Sequence, residues 1–392
     1  MAHAYVVEAV RTPVGRRNGG LAAEHPADLA AHVLAELVRR SGIDPAAVED
    51  VVLGCLDAVG PQAGCIARTS WLAAGLPEGV PGVTIDRQCG SAQQAVHFAA
   101  QAVLSGTMDV VVAGGVQNMS MIPMMSAAQV DVGPGRDPFE GSTGWRARYG
   151  EAPVSQFWGA QAIAERWDIS REQMEELALE SHRRAAHAVD EGRFAGETVA
   201  YGDVAVDEGP RRDTSLQRMQ GLAPLTPGGR ITAALASQIS DGAAALLVVS
   251  EQALRDHDLT PVARVHTMAV VGDDPLMMLT GPIPATRRVL ERSGLRLDDI
   301  GVIEVNEAFA SVVLAWQREL DADLSRVNVN GGAIALGHPV GASGARIMCT
   351  LLAEMRRTGS RYGLQTMCEG GGQANATVLE LLDTTPVSLS AG

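Results

Sequence analysis

The chain repeats one local pattern in its two halves. The stretch RRSGIDPAAVEDVVLGC (residues 39–55) is similar to ERSGLRLDDIGVIEVNE (residues 291–307). In each copy a glycine ends a helix, an acidic turn follows, and an apolar run then predicts a strand. At 392 residues the chain is two or three times the length of a typical domain. The repeat therefore predicts a duplicated unit rather than one enlarged core.

The same offset relates two further pairs of elements. It aligns Ser91 with Ser343, and a helix is predicted to begin near each of them after a glycine-containing turn. MDVVVAGG (residues 108–115) and YGLQTMCEGGG (residues 362–372) then predict one short strand in each half, running into glycines. Strands that alternate with helices at this spacing favour parallel α/β sheets, one in each half.

The helix predicted after Cys89 is apolar over most of its surface. A helix at the surface of a protein normally carries a single apolar stripe, so this one is predicted to be buried on most sides, as it would be between two sheets. The residues that carry the prediction are Ala92, Ala95, Val96, Phe98, Ala99, Ala102, Val103 and Leu104.

Residues from about 119 to 231 differ in composition from the rest of the chain. They are rich in glycine, proline and charge, and they contain one clear helix, for which Ser170 and Gln173 predict a capping box. We interpret the region as an excursion that covers a site, and a surface insertion without function fits its composition as well. The predicted division is an N-terminal half of residues 1–118 and 232–260, an inserted region of 119–231, and a C-terminal half of 261–392.

Composition excludes several classes of function. A net charge of -15 opposes binding to a nucleic-acid backbone, and the absence of lysine excludes a lysine Schiff base, bound pyridoxal phosphate and a P-loop. No apolar run approaches the roughly 18 residues that would span a membrane. The five cysteines lack disulfide or zinc spacing, which predicts reduced thiols, no metal site and a cytoplasmic location.

Cys89 lies where a predicted strand gives way to a helix, a position suited to a reactive thiol. A free cysteine has a pKa near 8.5, and lowering it by about two units requires about 2.7 kcal/mol. A helix N-terminus supplies about 0.3 to 1 kcal/mol and at most about 2 kcal/mol. Position alone is insufficient, so a base or a cation is expected beside Cys89.

Three other segments carry groups that suit such a site. His338 in NGGAIALGHPVGASG is the best candidate base, although a lone histidine is more often structural. Cys368 precedes three glycines whose N–H groups are able to face a ligand, although alone it fits a buried core cysteine at least as well. Asn306 and Glu307 interrupt an apolar passage from strand to helix, and taken alone they favour a helix N-cap.

The ordered set of these motifs resembles the thiolase family. Cys-Gly-Ser at 89, Asn-Glu-Ala-Phe at 306, Gly-His-Pro at 337 and Cys-x-Gly at 368 carry the likeness, which extends over nearly the whole chain. It implies an α/β thiolase fold, with two duplicated βαβαβαββ halves in a five-layer αβαβα arrangement and an inserted loop domain. The overall appearance is closest to actinobacterial degradative 3-ketoacyl-CoA thiolases, some of which process bulky or steroid-derived acyl groups.

The resemblance implies a role for each motif. The residue at Cys89 is the family's nucleophile, which forms an acyl-enzyme, and His338 takes its proton. Cys368 is the second acid and base, which suits a thiol whose pKa lies close to the working pH. His338 and a water held by Asn306 would stabilise the thioester enolate, while the backbone N–H groups of Cys89 and Gly370 would stabilise the tetrahedral intermediate.

The resemblance also implies that coenzyme A and acyl-CoA are substrates and that no cofactor is permanently bound. Coenzyme A would lie under the inserted region, against Ser237. Three arginines are candidates for its phosphates, although an ordinary solvated loop explains them as well. They are Arg211, Arg212 and Arg218. Association into a homodimer or homotetramer is expected on the same ground.

One segment departs from the small-substrate members of the family. Acetoacetyl-CoA thiolases commonly carry His-Met before a glycine, where this chain has Phe157 and Trp158 in QFWGAQ. Met278 matches the family's acyl-pocket methionine. Specificity for acetoacetyl-CoA is therefore not expected.

Other functions remain open at this point. Biosynthetic condensation of two acetyl-CoA molecules uses the same residues, because the reaction is reversible. Decarboxylating ketosynthases share the fold but use Cys-His-His or Cys-His-Asn sets, which Cys368 disfavours. A non-catalytic acyl-CoA-binding protein would need none of the four motifs.

Overall fold

The computed structural model describes residues 2–129, 138–139 and 141–382. In this part of the chain ten strands form one mixed sheet in the order β4-β3-β5-β6-β1-β7-β10-β9-β8, with β2 beside β6. The strands are β1 (Ala4–Arg11), β2 (Gly15–Arg16), β3 (Asp50–Gly54), β4 (Gly82–Ile85), β5 (Val110–Asn118), β6 (Ser240–Ser250), β7 (Ala263–Gly272), β8 (Val302–Val305), β9 (Tyr362–Glu369) and β10 (Gln373–Leu381).

Helices surround the sheet and fill the space between its two halves. The helices are α1 (Pro26–Ser41), α2 (Ile66–Ala73), α3 (Ser91–Leu104), α4 (Thr143–Tyr149), α5 (Gln156–Arg166), α6 (Arg171–Asp190), α7 (Leu216–Gln220), α8 (Glu251–Asp256), α9 (Pro282–Ser293), α10 (Ala310–Leu320), α11 (Ala333–Leu336) and α12 (Ser343–Thr358). Short 3-10 turns occur at Pro45–Ala47, Gly60–Gln62, Ala127–Gln129, Ala233–Leu235, Leu297–Asp299 and Leu324–Arg326.

The alternation of side chains along the strands divides the core into layers. In β6, Ala245 and Leu247 pack with α1 and α2, whereas Leu246 and Val248 point to the other face and pack with α3 and α12. In the second half, β7 to β10 pack with α9 and α10 on the outer face. The resulting order of helix, sheet, helix, sheet and helix is the five-layer arrangement that the resemblance implies, with α3 and α12 at its centre.

The predicted repeat is confirmed at its helix ends. α1 ends before Gly42, with φ of 72°, and α9 ends before Gly294, with φ of 71°. Both values lie in the left-handed region, which glycine adopts without a steric penalty. The predicted helix starts at Ser91 and Ser343 are also confirmed.

The prediction of parallel sheets is only partly correct. β3 is parallel to β4 and β5, and β8 is parallel to β9. The remaining pairs are antiparallel, because β9 and β10 form a hairpin and β6 returns beside β5 across the inserted region. β1 and β7 also pair, through Tyr5–Arg264 and Val6–Ala263, so the two predicted sheets are continuous. β5 does not stop at its glycines but continues to Asn118.

In the described segment between β8 and α12, the second half has no full strand as a counterpart of β4. A single bridge between Ile303 and Val327 stands in its place. Asn328 follows with a positive φ of 48°, and its side chain bonds to the N–H and the carbonyl of Val305, at 2.9 Å each. These side-chain bonds replace the strand ladder and let the chain turn toward α11.

The central helix α3 is less uniformly buried than its apolar sequence predicts. Phe98 and Leu104 are exposed, at 42% and 38%. The helix instead buries three polar side chains against the second half of the sheet, where Gln93 and His97 both bond to Thr377 at 2.7 Å. The third is Gln94.

The inserted region contains more helix than expected. The capping box of Ser170 and Gln173 is confirmed at the start of α6, but α4, α5 and α7 also lie between residues 119 and 231. α5 and α6 share an apolar cluster with α10, which attaches the inserted region to the second half of the fold.

Candidate active site

Cys89 occupies a tight turn between β4 and α3. Gln88 has a positive φ of 49°, and Gly90 is the N-cap of α3. The turn is held by the Ser91 hydroxyl, which accepts from Arg87 N at 2.8 Å and donates to the Gln88 carbonyl at 2.6 Å. Cys89 itself is half-buried and packs beside Leu56, Met119 and Val340. Val340 belongs to the segment that carries His338, so the two halves meet at this thiol.

The β9–β10 hairpin brings its glycine turn to Cys89. The backbone N–H groups of Cys89 and Gly370 both bond to the Cys89 sulfur and lower its pKa. Gly372 has a φ of 73°, and a Cβ there would lie 2.6 Å from the Asp274 carbonyl oxygen. The glycines are therefore required for the turn to approach its neighbours, and two N–H donors face the thiol.

Cys368 lies next to this pair of donors. It is fully buried near the end of β9 and belongs to an apolar cluster with Met278, Phe309 and Ile334. Burial raises the pKa of the Cys368 thiol well above its usual range, and the nearby Cys89 raises it further. The two thiols are close enough that ionisation of one opposes ionisation of the other.

His338 is fixed by its backbone and by its ring. Its N–H donates to the Gln238 carbonyl at 3.0 Å and lies 3.2 Å from the Ser240 hydroxyl. The preceding Gly337 has a φ of 105°, and a Cβ there would lie 2.2 Å from Ser240 Oγ. A residue with a side chain at 337 would displace the histidine.

The hydrogen bonds of His338 define its tautomer. Nδ1 lies 2.5 Å from Ser343 Oγ, and that hydroxyl donates its proton to the Pro339 carbonyl at 2.9 Å. The hydroxyl must then accept from Nδ1–H. On the other side of the ring the Asn306 amide nitrogen, which only donates, lies 3.5 Å from Nε2. Both contacts place the proton on Nδ1, so the Nε2 lone pair is free to accept a proton.

Asn306 and Glu307 are not the helix cap that their local sequence favours. The N-cap of α10 is Phe309, and both polar residues are buried before it. Glu307 accepts from Ser181 at 2.7 Å and Asn328 at 3.0 Å. Asn306 Oδ1 is buried without a hydrogen-bond partner, which leaves an acceptor beside His338 that a water would satisfy.

The surroundings of Cys89 and His338 disfavour the charged form of each side chain. Burial, Glu369 and Asp86 raise the pKa of Cys89 to about 12. Burial and the nearby Arg346 lower the pKa of His338 to about 3. Within the part of the chain that the structure describes, the groups that shift the pKa of Cys89 do not include the expected cation. The resting pair is therefore a neutral thiol and a neutral imidazole.

A cavity of about 340 Å³ lies between the inserted region and the segment before β6. It is lined by Arg211, Arg218, His182 and Gln238, among others. Arg211 N donates to His182 Nδ1 at 3.1 Å, and burial together with Arg211 lowers the pKa of His182 to about 4. The cavity therefore presents two arginines and a neutral histidine, and one of the arginines, Arg218, pairs with Asp213, which also lines the cavity.

The structure separates the other predicted coenzyme A residues. Arg212 is not among the residues that line the cavity, and its guanidinium pairs with Asp190 at 2.7 and 2.8 Å. Ser237 is half-buried between two lining residues and donates its N–H to the Ala308 carbonyl at 2.9 Å.

The predicted acyl-pocket residues border the Cys368 cluster. The Phe157 ring contacts the Phe309 ring edge-on, with centroids 5.7 Å apart. Met278 is buried in the same cluster, whereas Phe157 and Trp158 are 40% and 38% exposed. The exposed aromatic faces stand on the first turn of α5.

Sequence reasoning missed Ser343, which orients His338, and Glu369, which acts on both thiols. A signal existed for Glu369, because a glutamate directly after Cys368 in an apolar strand needs a partner. The sequence marks Ser343 only as a position of the repeat.

No helix in residues 2–129, 138–139 and 141–382 is both long and apolar enough to cross a membrane. Over the same ranges, no group of three or more histidine, cysteine, aspartate or glutamate side chains is arranged to hold a metal ion.

Comparisons with known proteins agree with the fold and the motifs. Residues 4–252 match the family described as "Thiolase, N-terminal domain", and residues 259–381 match "Thiolase, C-terminal domain". The chain therefore belongs to the thiolase family, whose named relatives are acyltransferases.

Individual relatives cover almost the whole chain. The chain is 58% identical to the steroid 3-ketoacyl-CoA thiolase FadA6 of Mycobacterium tuberculosis, over 97% of this chain and 95% of that protein. It is 43% identical to the 3-oxoadipyl-CoA/3-oxo-5,6-dehydrosuberyl-CoA thiolase of Escherichia coli, over 97% and 100%. The solved acetyl-CoA acetyltransferase of Bacillus anthracis has a TM-score of 0.87 and 38% identity, over 97% and 99%.

Proposed function

We propose that the protein is a degradative 3-ketoacyl-CoA thiolase. It cleaves a 3-ketoacyl-CoA with coenzyme A to give acetyl-CoA and a shortened acyl-CoA, through an acyl-Cys89 intermediate. The observation that carries the proposal is the Cys89 sulfur, which faces two backbone N–H donors with a second buried thiol beside it. The 58% identity to a steroid 3-ketoacyl-CoA thiolase supports the same conclusion.

The first half-reaction breaks the carbon–carbon bond. Cys89 Sγ attacks the keto carbon while His338 Nε2, which carries no proton at rest, accepts the thiol proton. The N–H groups of Cys89 and Gly370 stabilise the oxyanion of the tetrahedral intermediate, and losing one such donor typically costs about 2.7 to 4 kcal/mol. The bond between the α and keto carbons then breaks, and the Cys368 thiol protonates the acetyl-CoA enolate.

The second half-reaction regenerates the enzyme. The Cys368 thiolate takes the proton of coenzyme A, whose sulfur attacks the acyl-Cys89 thioester. The Cys89 thiolate leaves and recovers its proton from His338.

The enolate oxygen of the first half-reaction has its own donors. They are the protonated His338 Nε2 and a water bound to the unpartnered Asn306 Oδ1, which stabilise the enolate by hydrogen bonds.

The neutral resting pair is consistent with this sequence. A thiol with a pKa of about 12 stays protonated until a substrate arrives. Because the Nε2 lone pair is the only base in the proposal that accepts this proton, thiolate forms together with imidazolium. The charge pair is then created beside donors that are already positioned, which is where electrostatic stabilisation is strongest.

We propose that the acyl group is bulky or ring-bearing. The likeness to a steroid 3-ketoacyl-CoA thiolase supports this class, and so do the exposed side chains of Trp158 and of Phe157, whose ring contacts Phe309. Aromatic side chains contribute a large apolar contact area at a site of this kind.

A panel of ketoacyl-CoAs tests both the function and the class. We expect release of acetyl-CoA on addition of coenzyme A, with a higher kcat/KM for ring-bearing 3-ketoacyl-CoAs than for acetoacetyl-CoA. Fastest turnover of acetoacetyl-CoA, together with condensation of acetyl-CoA, would instead favour the biosynthetic reaction. No cleavage of any substrate by folded protein would exclude the proposal.

We propose that coenzyme A occupies the 340 Å³ cavity, with its phosphates at Arg211 and Arg218 and with the inserted region as a cover. Replacing Arg218 with glutamine is expected to raise the KM for coenzyme A about tenfold, since a charge-assisted hydrogen bond contributes about 1.5 to 3 kcal/mol. Arg212→Gln is the matched control, since Arg212 and Arg218 each pair with an aspartate but only Arg218 lines the cavity, and it is expected to leave KM unchanged. Equal effects of the two variants would contradict the assignment.

We propose that two copies associate and that the protein acts in the cytoplasm without a permanently bound cofactor. β4 lies at the end of the sheet order, and its Val83 is 43% exposed. An apolar edge strand of this kind is a site for pairing with a second copy. Light scattering on the purified protein measures the oligomeric state directly, and a monomer would contradict the proposed association.

The proposed location in the cytoplasm is supported by the cysteines. All five are free, as reduced thiols in the cytoplasm are.

A further inference from the structure

Glu369 is a buried carboxylate on the reverse side of the catalytic strand. It follows Cys368 in β9 and points to the opposite face, as successive strand residues do. It has no exposed surface. Its side chain fills the space beside Gly90, where an added Cβ would lie 1.9 Å from Glu369 Oε1. The carboxylate therefore lies against the residue that directly follows Cys89.

Only part of this carboxylate is hydrogen-bonded. With its amide nitrogen turned toward the carboxylate, Asn375 donates to Oε1 at 2.8 Å, and the amide oxygen accepts from Gln94 N at 3.2 Å. Oε2 is buried without a partner. A carboxylate with one bare oxygen in a buried site is stabilised by taking up a proton.

The charged neighbours of Glu369 come from three elements. The loop before α3 contributes Arg87, the turn at the start of α3 contributes Cys89, and β9 contributes Cys368. One guanidinium nitrogen of Arg87 donates to the Gln373 side-chain oxygen at 2.9 Å. His97, further along α3, is neutral because burial lowers its pKa to about 3. Arg87 is thus a cation that acts on Glu369. The charge of Glu369 in turn acts on both reactive thiols.

From this arrangement we infer that Glu369 is a positioning residue that works in its protonated form and whose ionisation suppresses the Cys89 thiolate. In the protonated form it fills the space beside Gly90 without adding charge. In the ionised form it places a negative charge beside the turn that holds Cys89, and a second negative charge on the sulfur is then disfavoured. The inference rests on the proposed role of Cys89 as the nucleophile.

The direction of the pH effect follows from the surroundings. Burial raises the pKa of Glu369 to about 8, against the opposing influence of Arg87 and of a hydrogen bond from the Asn375 backbone. Below that pH the residue is neutral and has no effect on the thiols. Above it, the charge raises the pKa of Cys89 and of Cys368, so each gains less reactivity with rising pH than an isolated thiol would.

Alkylation of Cys89 tests the inference separately from turnover. Rate constants for iodoacetamide are measured by mass spectrometry of the Cys89 peptide, from roughly two pH units below to roughly two above the Glu369 pKa. Glu369→Gln is expected to match the wild type at the low end and to react about tenfold faster at the high end, which corresponds to about one pKa unit. Glu369→Met, which also removes the charge but not the bulk, is expected to behave in the same way.

Glu304→Gln provides the matched control. Glu304 is a buried glutamate whose pKa burial also raises to about 8, but it is not among the groups that act on Cys89. Its rates are expected to equal those of the wild type at every pH. A ratio of Glu369→Gln to wild type that is constant with pH would indicate a packing effect and overturn the inference, as would identical rates throughout. Iodoacetamide reacts with the thiolate itself and requires no turnover. The alkylation rates therefore test the inference even if the protein does not catalyse the proposed thiolase reaction.

Discussion

Replacing Cys89 with alanine is expected to abolish turnover, with a loss of kcat on the order of a million-fold, as for other nucleophiles that form a covalent intermediate. The loss is large because neither His338 nor Cys368 is placed to accept the acyl group in its stead. Turnover is measured as acetyl-CoA released from a 3-ketoacyl-CoA. Wild-type protein treated with acetyl-CoA is expected to carry an acetyl group on the Cys89 peptide, and the alanine variant none.

Cys65 gives the matched control for that substitution. It is also half-buried and also begins a helix, as the N-cap of α2, but its thiol lies 3.2 Å from the Gly82 carbonyl, which it faces as a donor. Cys65→Ala is expected to keep full activity. Acetyl found on Cys65 or Cys368 of the wild type, with Cys89 unmodified, would overturn the assignment of the nucleophile.

The repeat made the gross architecture accessible from sequence because helix ends are encoded locally. Gly42 and Gly294 end α1 and α9 in the left-handed conformation that their positions predict, and the capping box at Ser170 forms as written. Strand direction is not local in this sense. The pairing of β5 with β6 joins segments separated by the whole inserted region, so alternation of helices and strands did not reveal it.

The chemistry of the site divides along the same line. The four motifs name the groups that meet, but their pKa values depend on neighbours distant in the chain. The sequence predicts a base or a cation that activates the Cys89 thiol, whereas burial, Glu369 and Asp86 raise the pKa of that thiol. In the same way, the local sequence around Glu307 favours a helix cap, whereas in the structure Glu307 accepts hydrogen bonds from Ser181 and Asn328, which are distant in the chain.

Replacing Cys368 with serine is expected to separate the two half-reactions. Serine preserves the small buried side chain, but its hydroxyl is too weak an acid and base to exchange protons with the α carbon of acetyl-CoA at neutral pH. Cleavage and condensation are expected to fall by about 100- to 10,000-fold, the usual contribution of a positioned acid or base. Acetylation of Cys89 by acetyl-CoA is expected to persist, because a thiolate leaving group departs without a strong acid and the N–H groups of Cys89 and Gly370 remain in place.

The measurement therefore compares two rates in one variant. Acetyl transfer to Cys89 is followed by mass spectrometry, and acetyl-CoA release from a 3-ketoacyl-CoA by a coupled assay. If both fell by the same factor, Cys368 would act through the structure around Cys89 and not as a proton carrier. A fall confined to the carbon–carbon step would assign the α-carbon proton to Cys368. It would also explain why a second buried thiol is held beside the first, even though each raises the cost of ionising the other.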